Sequence, residues 1–162
     1  MTDTIAPHLR PILFAANELF LDFLHLLQTY FDCDAESLIV LACVTDATMR
    51  PFMRGEDTPA AVLNAEKPPD AIRGAISRRM IADKTGLSRE TVRRKTQELA
   101  QAGFINIDAD DRIRSAQLLG DPEFARRVED AHRAVTRYIE QMRAYGVDCA
   151  SPTLPDAGDE AT

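Results

Sequence analysis

Residues 77–105 carry the signals of two helices that a single glycine separates. Ser77 belongs to the residue types that cap helix N-termini, and it precedes a short helical segment at 78–84. Gly86 stands where the end of a helix favours the left-handed backbone conformation, which glycine adopts without a steric cost. Ser88 can cap the helix that follows. The stretch therefore predicts two helices that meet at a tight turn.

The second of these helices has an apolar face and a basic face. At 100° per residue, Leu99 returns to within about 20° of Val92, so the two residues define the direction of the core. The side chains on the flank and on the opposite side are Arg89, Arg93, Arg94 and Gln97. Helices that meet only water usually mix charges at a spacing of four residues. An arginine-rich outer face therefore indicates a negatively charged partner.

The chain is acidic overall, with a formal net charge of −7 and a pI near 4.9, but its charge is unevenly distributed. Residues 73–105 contain eight basic and three acidic residues, a local balance of +5, which leaves −12 for the rest. Because salt screens charges over about 8 to 10 Å, the local patch matters more than the total. The segment is therefore suited to a polyanion. For Arg94 and Lys95, ion pairs with acidic side chains of the same helix are the alternative.

Two short alternating segments follow the second helix. Residues 104–107 and 112–114 alternate in polarity around an acidic tip at 108–111, which predicts a β-hairpin. Arg112 and Arg114 on the returning strand are suited to lie near the phosphates of a polyanionic partner.

The pattern IA-x-x-x-GLSR-x-TVRR-x-x-x-x-L-x-x-x-GFI, which begins at Ile81, resembles the winged helix-turn-helix of bacterial transcriptional regulators. Long flanking helices make the chain similar to a MarR-like dimer, and the SR-x-TVR run also resembles a GntR-type reading head. The chain differs from MarR-like proteins in its proline-containing connection at 51–69 and in its acidic hairpin tip.

This resemblance implies a homodimeric regulator that binds double-stranded DNA. The positions that match common DNA contacts in the family are Arg79, Arg89, Thr91, Arg93 and Arg112. With the outward-facing residues added, the expected DNA-binding set is Arg78, Arg79, Ser88, Arg89, Thr91, Arg93, Arg94, Gln97, Arg112 and Arg114. A winged helix that serves only protein contacts, within a transcription or chromosome-organising complex, is the alternative function.

The N-terminal half predicts further helices. Residues 12–31 repeat apolar side chains every three or four positions, as an amphipathic helix does. Residues 36–48 form a second buried helix or a strand, and Asp34 as a cap favours the helix. The prolines and glycine of 51–69 predict a connection with at most one helical turn, at 60–63.

A last helix is predicted between Asp121, an N-cap followed by proline, and Gly146. Its apolar residues recur at alternating steps of four and three: Phe124, Val128, Ala131, Val135, Tyr138, Met142 and Tyr145. Such a seam requires another helix. We therefore expect a homodimer formed through residues 12–31 and 124–145, with a core helix inside the monomer as the alternative for the first stripe. The acidic segment that follows, from Val147, predicts disorder.

No phosphate-binding glycine loop, metal-ligand spacing or nucleophile motif occurs, so the sequence predicts neither an enzyme nor a cofactor. Three cysteines without CxxC spacing and three scattered histidines argue against a disulfide framework and a zinc site. Cys33 lies between Asp32 and Asp34, which should raise the pKa of its thiol. A structural cysteine is therefore favoured over a redox or metal switch.

No apolar run is long enough to span a bilayer and no signal peptide is evident, so we expect a cytoplasmic protein. The sequence leaves open whether a small-molecule effector binds. Five aromatic residues can line an apolar pocket for an effector: Phe14, Phe20, Phe23, Phe31 and Phe52. Aromatic residues at helical spacing are more often part of the core, so a core role is favoured for them.

The expected fold is mainly α with a small β-wing, a winged helix-turn-helix flanked by long N- and C-terminal helices. Its expected regions are a helical dimerisation region with a linker at 1–69, a DNA-binding domain at 70–118, a dimerisation helix at 119–147 and a disordered tail at 148–162.

Overall fold

A computed structural model describes residues 5–55 and 58–149 of the chain. It is mainly helical and contains one small antiparallel sheet. The elements are α1 Leu9–Phe31, α2 Ala35–Met53, α3 Ala60–Leu63, β1 Ile76–Ser77, α4 Arg78–Thr85, α5 Arg89–Gln101, β2 Ile105–Ile107, β3 Arg112–Ser115 and α6 Pro122–Ala144. They form two compact units, one from Phe31 to Ala125 and one from the segments before and after it.

The central unit begins with α2, which the sequence left open between a helix and a strand. Its N-cap is Asp34, whose Oδ1 accepts a hydrogen bond of 2.9 Å from the backbone N–H of Ser37. The helix is therefore confirmed. It also continues through Pro51, where a connection was predicted, because the buried Phe52 holds its last turn against the core. Of that connection, the single predicted turn is confirmed as α3.

The two helices joined by a glycine form as predicted. The Ser77 hydroxyl accepts a bond of 3.3 Å from the N–H of Met80 at the start of α4. Gly86 has a φ of 72° and ends α4, one residue later than predicted. Ser88 caps α5 by accepting a bond of 3.0 Å from the N–H of Thr91.

The sheet contains the predicted hairpin and one additional strand. β2 and β3 pair antiparallel around the acidic tip. The two-residue strand β1 pairs with the other edge of β3, with Ile76 opposite Ile113, so that β3 is central. The sequence did not predict β1, because two residues are too few to show an alternating pattern.

The core of this unit lies between α2, the helix pair and the sheet. Its fully buried apolar side chains are Val40, Val44, Ile76, Ile81, Val92, Ile105 and Ile113. Thr48 of α2 also bonds the segments around the sheet: its hydroxyl accepts from the N–H of Ser115 at 3.0 Å, and its carbonyl accepts from the N–H of Gly74 at 2.9 Å. A Cβ on Gly74 would lie 2.1 Å from the carbonyl oxygen of Ala47, so this close approach requires glycine.

The structure thus groups α2 with the helices that follow it, whereas the change of composition placed a boundary at residue 70. Periodicity identifies α2 as a helix, but it does not show against which elements the helix packs.

The terminal unit contains most of α1 and α6. Arg137 pairs with Asp22, and the side-chain amide of Gln141 donates to Glu18 at 2.7 Å, so the two helices run in opposite directions. The buried residues between them are Ala15, Met142 and Val147. α1 begins at Leu9 rather than at 12, since Pro11 is tolerated in a first helical turn.

The apolar stripes predicted for these helices are only partly buried. On α1, Leu13 and Phe20 remain 72% and 62% exposed, and on α6, Val128 remains 48% exposed. The buried residues of α6 are Met142, which belongs to the predicted seam, and Ala134, which does not. Val147 is buried, so disorder does not begin there as predicted, and residues 150–162 of the predicted tail lie outside the described residues. In the described part of the chain, no helix is both long and apolar enough to cross a membrane.

Candidate nucleic-acid interface

The two faces of α5 are oriented as the sequence predicted. Val92 and Leu99 are 0% and 2% exposed and contact the core. The exposed polar side chains along the helix are Arg89, Glu90, Arg93, Arg94, Gln97, Glu98 and Gln101. The outer face therefore projects three arginines from the compact unit.

The start of α5 presents Ser88, Arg89 and Thr91. The hydroxyls of Ser88 and Thr91 lie 2.9 Å apart and hydrogen bond to each other, in addition to the cap. Arg89 is exposed and has no ion pair among the residues that the structure describes. Its guanidinium is therefore available to a partner, whereas the two hydroxyls already bond each other.

Arg93 is held in place by neighbours on both sides. Its Nε and Nη2 donate to the two carboxylate oxygens of Glu90 at 2.9 and 2.6 Å, and its Nη1 donates to Gln97 Oε1 at 3.0 Å. The hydrogen bonds between them lower the pKa of Glu90 and raise the pKa of Arg93, so both groups stay charged. The three side chains form one connected row on the outer face.

Arg94 and Lys95 are both paired, but they occupy different surroundings. Arg94 is half-exposed and lies 3.1 Å from Glu98 and 3.7 Å from Glu36 of α2. Lys95 is only 3% exposed and donates to Asp34 as well as lying 3.4 Å from Glu98. Both residues therefore pair with Glu98 of the same helix, as the alternative expected, but Lys95 faces inward and is not part of a solvated face.

Asp34 is the partner that sequence reasoning missed for Lys95. The hydrogen bond from Lys95, with that from the Ser37 backbone, lowers the pKa of Asp34 to about 2. The same bond is the main cause that raises the pKa of Lys95. A buried lysine requires an acceptor, but no local pattern identifies one so far away in the sequence.

On α4, the two adjacent arginines have different surroundings. Arg79 is 80% exposed and lies 4.0 Å from Asp83. Arg78 is 26% exposed; its Nε donates to the hydroxyl of Thr96 at 3.0 Å, and it pairs with Asp111 at the hairpin tip. Arg78 therefore links α4, α5 and the hairpin, whereas its neighbour Arg79 projects from the surface of α4.

The hairpin places its two arginines on the same side of β3, because they flank the buried Ile113. Arg112 is exposed, whereas Arg114 is 24% exposed and lies 3.1 Å from Asp108. Asp108 also accepts from the N–H groups of Asp110 and Arg112 at 3.0 and 2.9 Å. These bonds, first of all that from Arg112, lower the pKa of Asp108. The acidic tip is thus partly neutralised within the hairpin itself.

Two of the eight basic residues that the sequence counted in this segment do not contribute to its surface. The side chains of Arg73 and Lys95 are 5% and 3% exposed, and each is paired with an aspartate. The exposed basic patch is therefore smaller than the sequence sum suggested.

The aromatic residues considered for an effector pocket do not share one site. Phe31 and Phe52 are buried, whereas Phe14 and Phe20 are 55% and 62% exposed. A cavity of about 300 Å³ lies beside the end of α5, and its lining includes Phe31, Cys33 and Phe104.

Burial, followed by the charge of Asp34, raises the pKa of the Cys33 thiol, as predicted for a structural cysteine. Among the described residues, no cluster of histidine, cysteine and carboxylate side chains has the geometry to hold a metal ion.

Comparison with known proteins does not assign the chain to a family. No family model, no curated protein and no solved structure matches it.

Proposed function

We propose that the protein is a sequence-specific, DNA-binding transcriptional regulator that acts as a homodimer through a winged helix-turn-helix. The observation that carries this proposal is the outer face of α5, which projects Arg89, Arg93 and Gln97 from the second helix of a pair joined at Gly86. An α-helix with its side chains is about 10 to 12 Å wide, and the major groove of B-DNA is about 12 Å wide.

The neighbouring elements supply phosphate contacts in this proposal. Arg79 on α4 and Arg112 on β3 are exposed, and arginines beside a helix in the groove commonly bind the DNA backbone. Arg78 and Arg114 have a different role in this proposal, because they are only 26% and 24% exposed and are bonded to Asp111 and Asp108 of the hairpin. We assign them to holding the hairpin in position rather than to contacting DNA.

The exposed side chains of α1 support the dimer. Leu13 and Phe20 are seven residues apart, as are Phe14 and Leu21, so each pair lies on nearly the same side of the helix. All four are more than half exposed, which is unusual for so many large apolar side chains on one helix. In such a dimer, the α5 helices of the two protomers would bind half-sites about 34 Å apart, and their linkage would increase affinity through effective concentration.

The test is selection of duplexes from a randomised DNA pool with the full-length protein, followed by binding measurements at several salt concentrations. We expect an enriched sequence with two-fold symmetry, and an affinity that falls steeply as salt rises, because neutralised phosphates release counterions. No enrichment, together with no retention of any duplex at low salt, would reject the proposal.

A winged helix used only for protein contacts is a second candidate, because part of the basic charge on the proposed surface is neutralised within the chain. Three arginines of the proposed surface lie beside carboxylates: Arg79 with Asp83, Arg93 with Glu90, and Arg94 with Glu98. Such paired charges are also typical of a solvated helix surface. If the folded wild-type protein binds no duplex even at low salt, that result would favour this candidate.

A further inference from the structure

The geometry points to Glu90 as a positioning residue for Arg93, and to a guanine in the major groove as the base that this pair selects. The inference rests on the proposed function. It adds a base preference, and it gives a role to an acidic side chain whose charge by itself should repel phosphates.

The Arg93 guanidinium is fixed by three hydrogen bonds before any partner arrives. Glu90 receives the bonds from Nε and Nη2, and Gln97 receives one from Nη1. A guanidinium carries five N–H donors in one plane, so two donors remain on Nη1 and Nη2. Glu90 occupies the edge that contains Nε, and the remaining donors belong to the two terminal nitrogens.

A pair of donors on neighbouring nitrogens matches one base edge in the major groove. Guanine presents two acceptors there, O6 and N7, whereas adenine presents an acceptor beside a donor. Arginine bound to adenine would therefore place one donor against another. Gln97 accepts a hydrogen bond from Nη1, on the side of the guanidinium away from Nε, and so restricts the rotation of the guanidinium.

Glu90 should have two effects of opposite sign on DNA binding. Its negative charge lowers the affinity for every duplex, because phosphates repel it. By fixing Arg93, however, it increases the difference in affinity between the right and the wrong base. If Glu90 only occupied Arg93 as a solvated ion pair, its removal would release Arg93 and strengthen the binding of both duplexes without reducing that difference.

The experiment compares wild-type protein with Glu90→Gln on two probes: a duplex that the wild type selects from a randomised pool, and a scrambled duplex of the same length. We expect Glu90→Gln to bind the scrambled duplex more tightly. The affinity ratio of the two duplexes should fall by about 3- to 10-fold, as part of the roughly 10- to 100-fold discrimination that a bidentate arginine contact provides. Glu90 is exposed on α5, so the variant should fold normally.

Asp83→Asn is the matched control for charge. Asp83 is exposed on α4 and lies 4.0 Å from Arg79, which we assign to phosphate. This variant should also bind the scrambled duplex more tightly, but its affinity ratio should stay at the wild-type value.

A second comparison places Glu90→Gln in an Arg93→Ala background. If Glu90 acts through Arg93, the second substitution should not lower the ratio any further. The inference would be overturned, with the proposed function intact, if Glu90→Gln alone left the affinity ratio of the two duplexes unchanged or increased it. It would also be overturned if Glu90→Gln lowered that ratio equally in the wild-type and Arg93→Ala backgrounds. If the wild type selects no duplex at all, the proposed function fails and the inference fails with it.

Discussion

Lys95 of α5 and Asp34 at the start of α2 form an ion pair on the inner side of the proposed DNA-binding helix. The lysine side chain is 3% exposed and the aspartate side chain 57% exposed, so the pair extends from the core to the surface. The other oxygen of Asp34 caps α2 through the N–H of Ser37. One carboxylate therefore stabilises the start of α2 and fixes α5 against it.

We expect Asp34→Ala to lower the free energy of unfolding by roughly 1 to 3 kcal/mol, because it removes a helix cap and one partner of a buried lysine. The loss should be smaller than for a fully buried pair, since Asp34 is half-exposed and Lys95 keeps Glu98. Urea unfolding measures it. Asp46→Ala is the control on the same helix, because Asp46 is exposed and pairs with the exposed Arg50, so the loss of stability should be much smaller. Equal losses would show that the Lys95 pair has no special role.

The stability should also depend on pH through Asp34. Its pKa is lowered from 3.8 to about 2 in the folded protein, so it contributes stability that is fully present above the unfolded value. That contribution is lost as pH falls through the folded value. In Asp34→Asn, the deficit relative to wild type should therefore be constant above about pH 5 and shrink between about pH 4 and pH 2. A deficit that stays constant down to pH 2 would contradict the assignment.

Leu99→Ala tests the inner face of α5. Leu99 is 2% exposed, so we expect the substitution to lower the free energy of unfolding by roughly 2 to 5 kcal/mol. DNA affinity should then decrease only in proportion to the folded fraction, which circular dichroism at the same temperature determines. Gln101→Ala, on the exposed side of the same helix, is the control. A Leu99 variant that is fully folded but does not bind DNA would show that Leu99 belongs to the interface.

The features that could be predicted from the sequence are those that depend on neighbouring residues. Ser77 and Ser88 cap helices within three residues of themselves, and Gly86 adopts the left-handed conformation because of its own missing Cβ. The direction of Val92 and Leu99 follows from the helix period alone. These local rules were sufficient to identify the helix pair, the hairpin and the outward arginines.

The features that were missed depend on contacts between residues far apart in the chain. Lys95 was treated as a surface residue because its partner, Asp34, lies on another helix. The ion pair of Arg78 with Asp111 was not predicted, because the sequence does not show that the hairpin tip approaches α4. The strand at Ile76 forms only because β3 supplies its hydrogen bonds. Periodicity indicates which side of an element is buried, but it does not identify the partner.

Arg78 and Arg79 are adjacent residues to which the structure gives different roles. We expect Arg78→Ala to speed amide hydrogen exchange in the hairpin tip, because Asp111 loses its partner on α4. Arg79→Ala should leave that exchange unchanged, since Arg79 is 80% exposed and its ion pair is with Asp83 on its own helix. Both variants should weaken DNA binding with little change in base preference. Unchanged exchange in the Arg78 variant would remove the basis for its positioning role.

The dimer is tested by Phe20→Glu. Phe20 is 62% exposed in the single chain, so a glutamate there should not disturb the packing of α1 within its own unit. In a dimer formed through this face, however, the buried charge would have no partner, and such a group is strongly destabilising. Sedimentation equilibrium at micromolar concentration should show a dimer for wild type and a monomer for the variant, and the variant should lose tight binding to a palindromic duplex. Gln28→Glu, on an exposed polar position of the same helix, should remain a dimer. A wild-type monomer that binds one short, non-palindromic site tightly would reject the dimer.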